Sequence, residues 1–164
     1  GFDSDGLYAL VQALKTMPNV SRLNLRGNTC RNEGVEALGN FLKTNSKITY
    51  LNLNENNLGT PGAEAIAEAL KVNTTLTEVD LSLNYIDDKG GKAIAEALKV
   101  NGVLTNLNLY RNSLGPVGGK ALADALSVNA VLKKCDLQVN GLGAAGEQAV
   151  QDAVKGREGF ELLV

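Results

Sequence analysis

Three glycines near the C-terminus have the spacing of a dinucleotide-binding turn. Gly141, Gly143 and Gly146 form G-x-G-x-x-G within VNGLGAAGEQAV, residues 139–150. The apolar run before them predicts a strand, and the residues after them predict a helix. In dinucleotide-binding folds this context places backbone N–H groups around a pyrophosphate. The first question is therefore whether the chain is a nucleotide-dependent enzyme.

Two acidic residues offer a second kind of chemistry. Glu78 and Asp80 lie two residues apart on a predicted strand, so their side chains face the same side. A carboxylate pair can act as general acid and base, but that role needs burial to separate the two pKa values. The chain contains no histidine, the commonest general base and metal ligand. We therefore interpret the pair as part of a polar strand face, and we expect no catalytic residue, no metal site and no cofactor.

The composition narrows the function classes further. The 164 residues carry a net charge of −2, which gives no reason to expect a nucleic-acid partner. No apolar segment approaches the roughly 20 residues that span a bilayer, so we expect no membrane insertion. Cys30 and Cys135 occupy positions that are otherwise aliphatic, and they lie too far apart in the repeat pattern to bridge. Two buried free thiols indicate a reducing compartment and predict a cytoplasmic protein.

The chain repeats itself with a period of 28 residues. VSRLNLRGNTC, starting at Val20, aligns with ITYLNLNENNL, LTEVDLSLNYI, LTNLNLYRNSL and LKKCDLQVNGL, and the second halves of the units align as well. We divide the single domain, 1–164, into a partial repeat at 1–19, full repeats at 20–47, 48–75, 76–103, 104–131 and 132–159, and a partial repeat at 160–164. Repeat positions below are counted from 20, 48, 76, 104 and 132.

Each repeat position has a physical role. Aliphatic residues at positions four and six alternate with polar ones, which predicts a short strand with one buried face. Position nine is always asparagine, whose amide can donate to and accept from successive tight turns; this structural ladder is Asn28, Asn56, Asn84, Asn112 and Asn140. A second asparagine at position 26, as in Asn73, predicts a left-handed residue that ends the helix. Each unit is therefore a strand, a turn, a helix and a return.

The unit predicts an α/β solenoid. Parallel strands lie about 4.8 Å apart, whereas helices pack at about 8–10 Å. The helices must therefore form the longer, convex arc of a curved right-handed superhelix, and the parallel sheet lines the concave face. Gly143 and Gly146 occupy repeat positions that also hold Gly59 and Gly62, so the opening motif belongs to the repeat and is not a phosphate-binding turn.

The pattern L-x-x-L-x-L-x-x-N-x-L, with a 28-residue period and a helical second half, resembles the ribonuclease inhibitor-like class of leucine-rich repeats. That class includes the repeats of NOD-like receptors and, more distantly, the GTPase-activating protein of Ran. Ribonuclease inhibitors are rich in Cys and Trp, and this chain has two Cys and no Trp. The resemblance implies recognition of a macromolecule on the concave face and its rims.

The residues that flank the buried strand positions are the candidates for partner binding. Tyr and Arg are enriched among interface hot spots, and the concave positions run from basic to acidic to aromatic. The predicted contact patch on the concave face and rim is Tyr50, Glu78, Asp80, Tyr85, Tyr110 and Arg111. The alternative is that these side chains are simply exposed to solvent and bind no partner.

We expect a non-catalytic protein-protein interaction module within a larger sensor or regulatory protein. Two alternatives remain: a GTPase regulator resembling the Ran activator, and a structural repeat in a cytoskeletal or flagellar assembly. Leu7, Tyr8 and Val11 on the first helix predict apolar surface that needs cover, and FELLV begins a strand at the other end. We therefore expect a fragment of a longer protein; a self-capping terminal helix or self-association through uncapped ends would also fit.

Overall fold

A computed structural model describes residues 3–30 and 32–164, and these residues form six helices and six strands that alternate along the chain. The helices are α1 (Ser4–Leu14), α2 (Asn32–Thr44), α3 (Gly59–Leu70), α4 (Asp88–Val100), α5 (Gly115–Val128) and α6 (Gly143–Ala153). The strands are β1 (Arg22–Asn24), β2 (Tyr50–Asn52), β3 (Glu78–Asp80), β4 (Asn106–Asn108), β5 (Lys134–Asp136) and β6 (Glu161–Leu163).

The strands form one parallel sheet in chain order. Arg22 pairs with Tyr50, and each following partner through Lys134 lies 28 residues further along the chain. Lys134 then pairs with Glu161, which is 27 residues further. The 28-residue period predicts residue 162 opposite Lys134. The interval between β5 and β6 is therefore one residue shorter than predicted.

The core lies between the sheet and the layer of helices. Leu51 and Leu53 of the second unit are fully buried, and so are Ile66 and Leu70 on the facing side of α3. Consecutive helices pack against each other, as consecutive strands do. Because strands are spaced more closely than helices, the sheet takes the inside of the curve, as the repeat pattern predicts.

The asparagines at position nine join each unit to its neighbours. Asn84 Nδ2 donates to Leu53 O of the preceding unit at 2.7 Å and to Leu81 O of its own at 3.1 Å. Its Oδ1 accepts the backbone N–H groups of Asn56 at 2.9 Å and Leu58 at 3.3 Å. Each such amide satisfies backbone groups that the turns leave unpaired, a need that buried peptide groups impose. The same donation to the preceding unit recurs at Asn56, Asn112 and Asn140.

The asparagines at position 26 form a second column, and the prediction of a left-handed residue there is wrong. Asn101 and Asn129 have extended backbones, with φ of −75° and −80°. Asn101 Oδ1 accepts the N–H groups of Val103 and Leu104, while its Nδ2 donates to Leu70 O at 2.7 Å. The amide turns the chain toward the next strand by its hydrogen bonds, so no unusual backbone conformation is needed.

Arginine replaces asparagine in the last unit of this column. Arg157 donates to Leu126 O at 3.2 Å and to Leu132 O, and its guanidinium lies 4.3 Å from the centroid of the Phe160 ring. Leu126 lies 31 residues before Arg157, the separation found between Asn101 and Leu70. The longer side chain therefore reaches the same carbonyl from a return that is one residue shorter.

The first helix is better covered than the sequence indicates. Leu7 and Val11 are 0% and 1% exposed because they pack into the core beside α2. Tyr8 alone of the three residues is solvent-exposed, at 53%. The apolar surface expected at this end is therefore limited to the Tyr8 side of α1.

Candidate functional site

The concave face consists of the side chains at repeat positions three, five and seven. Along β2, Tyr50 is half-buried on this face while its neighbour Leu51 is fully buried in the core. The alternation follows from the period-two geometry of a strand. Equal repeat positions form rows across β1 to β5, and Glu161 and Leu163 of β6 continue the rows of positions three and five.

A shallow hollow of about 350 Å³ lies at the centre of this face. We call it the central hollow; its side chains at positions three and five are Tyr50, Glu78, Asp80, Asn106, Asn108, Lys134, Asp136 and Leu163. It therefore contains three carboxylates and one ammonium group.

The one ammonium group of the central hollow is already paired. Lys134 Nζ lies 2.6 Å from Glu161 Oε1 on the adjacent strand. At the other side of the hollow, the Arg22 guanidinium stacks 3.8 Å from the centroid of the Tyr50 ring. The carboxylates of Glu78, Asp80 and Asp136 are left to set the charge of the hollow.

Position five also has a structural role, which the sequence analysis did not predict. Asp80 Oδ1 accepts the backbone N–H of Ser82 at 2.9 Å. The same contact to the residue two places on recurs from Asn24, Asn52, Asn108 and Asp136. This is a turn capped by an Asn or Asp side chain at the end of each strand from β1 to β5. The signal was available, because position five holds Asn or Asp in every full repeat.

The structure brings together three of the six predicted contact residues. Tyr50, Glu78 and Asp80 all line the central hollow. Tyr110 lies on the same face at position seven and is half-buried. Tyr85, 71% exposed, and the exposed Arg111 lie on the turns that follow the strands, so they belong to the rim.

The rim residues have an unusual backbone. Tyr85 and Arg111 both have φ of 56°, the left-handed region that few residues other than glycine adopt. Glu55, Leu83 and Val139 share this conformation at the same position as Arg111. The turn is thus fixed in each unit, and the residues that fill it project at regular intervals along the rim.

The glycines of the G-x-G-x-x-G run have separate roles in the turn and in packing. Gly141 and Gly143 have φ of 64° and 67°. A Cβ on Gly146 would lie 3.1 Å from Leu142 Cβ and 3.7 Å from Pro116 Cα on α5. The equivalent Gly90 approaches Ile86 and Ala63 still more closely. The third glycine therefore allows close helix packing, which is a requirement of every unit.

The two cysteines are poor nucleophiles. Both thiols are free and fully buried. Burial raises the pKa of Cys30 to about 11, and burial together with the neighbouring Asp136 raises the pKa of Cys135 to about 12. A thiol is reactive as its thiolate, so neither side chain is prepared for covalent chemistry.

Neither a membrane-spanning helix nor a metal-binding cluster occurs among the described residues, 3–30 and 32–164. No helix in these ranges has the length and apolarity to cross a bilayer. Among the same residues, no three Cys, Asp or Glu side chains come together in a way that could hold a metal ion.

The comparisons with known proteins agree with this architecture. The Leucine Rich repeat family matches residues 16–39, 44–67, 72–95 and 100–123. The comparison with curated protein sequences gave no match.

Two solved structures share the fold over nearly the whole chain. The structure titled Leiomodin-1 Actin-Binding Site 2 has a TM-score of 0.77 and 26% sequence identity, covering 94% of this chain and 88% of that one. The tropomodulin C-terminal domain of Caenorhabditis elegans has a TM-score of 0.72 and 13% identity, covering 94% of this chain and 92% of that one. With four matched repeats and a sheet that adds one strand per repeat, the chain belongs to the leucine-rich repeat family.

Proposed function

We propose that the chain is a non-catalytic protein-binding module that holds its partner on the concave face and the adjoining rim. The observation that carries this proposal is a contrast between two kinds of repeat position. Position four is aliphatic or Cys in every full unit, whereas position three changes from Arg22 to Tyr50, Glu78, Asn106 and Lys134. A scaffold that is uniform inside and varied on one face is suited to recognising a particular surface.

The chemistry of the face supports binding more than catalysis. The central hollow is shallow and open, and it offers carboxylates, amides and a tyrosine without a nucleophile beside a base. Tyr85, Tyr110 and Arg111 add side chains of the types that carry much of the energy in protein interfaces. The buried free thiols favour a cytoplasmic location as part of the same proposal.

We also propose that the repeats are of the ribonuclease inhibitor-like subtype and that the protein has a sensor or regulatory role. The 28-residue separation of most paired strand residues supports the subtype. A helix in each unit supports it as well. Identifying the partner would show whether the protein acts as a sensor or as a regulator.

A cytoskeletal role is the second candidate, and the similarity to the leiomodin structure favours it. That structure carries actin binding in its title and shares 26% identity with this chain over 94% of its length. Co-sedimentation with filamentous actin and a polymerisation assay with labelled monomeric actin test this candidate directly. Sedimentation with filaments or altered polymerisation supports it; unchanged polymerisation together with absence from the pellet rejects it.

The main proposal is tested by affinity capture with matched variants. The double variant Tyr110→Ala, Arg111→Asn removes two contact side chains, and Asn tolerates the left-handed backbone at residue 111. The control, Lys120→Gln with Asp124→Asn, changes two exposed side chains on α5. We expect a partner captured by the wild type to be lost by the first variant and kept by the second. Loss only with the helix variant would reject concave binding.

A further inference from the structure

The central hollow has an excess of negative charge. Glu78, Asp80 and Asp136 line it, and Lys134 is neutralised by Glu161 at 2.6 Å. Arg22 is directed onto the Tyr50 ring at the margin of the hollow. Carboxylates accept hydrogen bonds and cannot donate them, and the one positively charged donor in the lining, Lys134, already contacts Glu161.

A buried acceptor at position seven, outside the lining of the central hollow, also lacks a donor. Ser82 Oγ donates its proton to Asp80 Oδ1, so it can only accept from Asn54 Nδ2, which lies 2.5 Å away. This chain of hydrogen bonds fixes the orientation of the Asn54 amide. Its Oδ1 then has no hydrogen-bond partner among the described residues, although Asn54 is only 7% exposed. A buried acceptor without a donor is costly in a folded protein.

We propose that the central hollow receives a basic segment of a protein partner, with Arg or Lys side chains placed between Glu78, Asp80 and Asp136. This inference rests on the protein-binding function proposed above and specifies the chemistry of the partner. A guanidinium brings five donors and no acceptor, which complements the three carboxylates.

The residues found at position five in other units suggest a variant that removes the negative charge of the hollow and keeps the fold. Asn24, Asn52 and Asn108 already occupy position five and make the same hydrogen bond as Asp80 and Asp136. The triple variant Glu78→Gln, Asp80→Asn, Asp136→Asn therefore removes the three negative charges and retains at positions 80 and 136 the side-chain oxygen that accepts from the turn. The control, Glu33→Gln, Glu36→Gln, Glu64→Gln, removes the same number of charges from exposed positions on α2 and α3.

The probe is a fluorescein-labelled peptide in which Arg and Ser alternate, and binding is measured by fluorescence anisotropy. Two further peptides carry citrulline or Glu in place of Arg. We expect the Arg peptide to bind the wild type and the control triple variant alike, and the hollow variant at least tenfold more weakly. The citrulline and Glu peptides should bind weakly to all three proteins. Raising the salt from about 0.05 to about 0.5 M should remove most of the difference.

The outcomes separate this inference from the general proposal. Equal binding of the Arg peptide to both triple variants, or no binding to the wild type, overturns the basic-segment inference. In that case the capture experiment with Tyr110→Ala, Arg111→Asn still decides whether the concave face binds a partner. If the partner captured there is retained by every concave variant, the function itself is rejected. Circular dichroism of each variant confirms that the fold is intact.

Discussion

At the scale of single residues, the two asparagine columns supply side-chain hydrogen bonds to backbone groups of their own and neighbouring units. The amides at position nine receive and donate hydrogen bonds between units, and those at position 26 do so at the opposite turn. An asparagine side chain has both a donor and an acceptor at the same reach, so one residue satisfies two kinds of orphan backbone group. Uniformity at these positions therefore follows from hydrogen bonding and requires no ligand.

The variant Asn84→Ala tests the position-nine column. It removes three donated hydrogen bonds to buried carbonyls and leaves the N–H groups of Asn56 and Leu58 without their acceptor. We expect the free energy of unfolding to fall by about 3 kcal/mol or more, because each unsatisfied buried group costs roughly 1–3 kcal/mol. Urea denaturation followed by circular dichroism measures the change. The control Asn40→Ala, at an exposed site on α2, should stay within about 0.5 kcal/mol of the wild type.

At the scale of elements, the helices begin in two different ways. α3, α5 and α6 start at a glycine, and the residue before each has no side-chain cap. α4 is preceded by Asp87, whose Oδ1 accepts the N–H groups of Gly90 at 3.0 Å and Lys89 at 3.1 Å. An acidic cap also interacts favourably with the dipole at the helix start.

The cap at Asp87 predicts a pH dependence of stability. The Gly90 N–H first, and then the Thr60 side chain, hold the pKa of Asp87 below its usual value of 3.8. The carboxylate therefore stabilises the folded state above the unfolded-state pKa, and this contribution is lost as the pH falls through the lower folded-state pKa. Asp87→Ala should cost about 1 kcal/mol near neutral pH and progressively less below about pH 4.

A substitution at residue 87 can make this helix cap insensitive to pH. Asp87→Asn keeps a capping oxygen without a titrating group. Its stability difference from Asp87→Ala should stay constant across the acid range, as measured by thermal unfolding at a series of pH values. A constant difference between the wild type and Asp87→Ala down to about pH 2 would contradict a titrating cap.

The close packing of α2 against α3 predicts the effect of a substitution at Gly39. A Cβ on Gly39 of α2 would lie 2.7 Å from the Ala65 carbonyl oxygen of α3, which is backbone and cannot rotate away. Gly39→Ala should therefore separate the two helices and lower the unfolding free energy by about 1–2 kcal/mol, even after the gain in helix propensity. Gly102→Ala is the matched control, since its Cβ would meet nothing within 4 Å. Equal stability of both variants in urea would show that α2 and α3 can adjust without cost.

At the scale of the whole molecule, each unit touches its immediate neighbours. α1 packs against α2, and β6 pairs with β5, while central elements have a partner on both sides. In such a solenoid the stability is approximately a sum of unit and nearest-neighbour interface terms. Units at the two ends therefore have less interface to stabilise them.

This architecture predicts a gradient of amide hydrogen exchange. We expect exchange to be fastest in α1 and β6 and slowest around β3 and β4, as measured by mass spectrometry of peptide fragments. Uniform protection along the chain would show instead that the units unfold as one cooperative block. In the Asn84→Ala variant the faster exchange should spread to both neighbouring units, because the amide joins them.

Much of the architecture was readable from particular residues. The alternation of Leu51 and Leu53 with polar residues predicted the strand face, and both side chains are fully buried. The same alternation placed Tyr50 and Glu78 on one face, where the structure has them in a common hollow. These features depend on local periodicity, which a linear sequence carries directly.

Other features depended on tertiary contacts. The capping role of Asp80, the extended backbone of Asn101 and the replacement of asparagine by Arg157 all involve atoms from neighbouring turns or units. The pairing of Lys134 with Glu161, which leaves the central hollow acidic, depends on a register one residue shorter than the repeat predicts. The sequence by itself determined the repeating unit, because hydrophobic period and turn residues are local properties. The tertiary structure decided which polar groups are already paired and which remain unpaired, because that depends on distances between units.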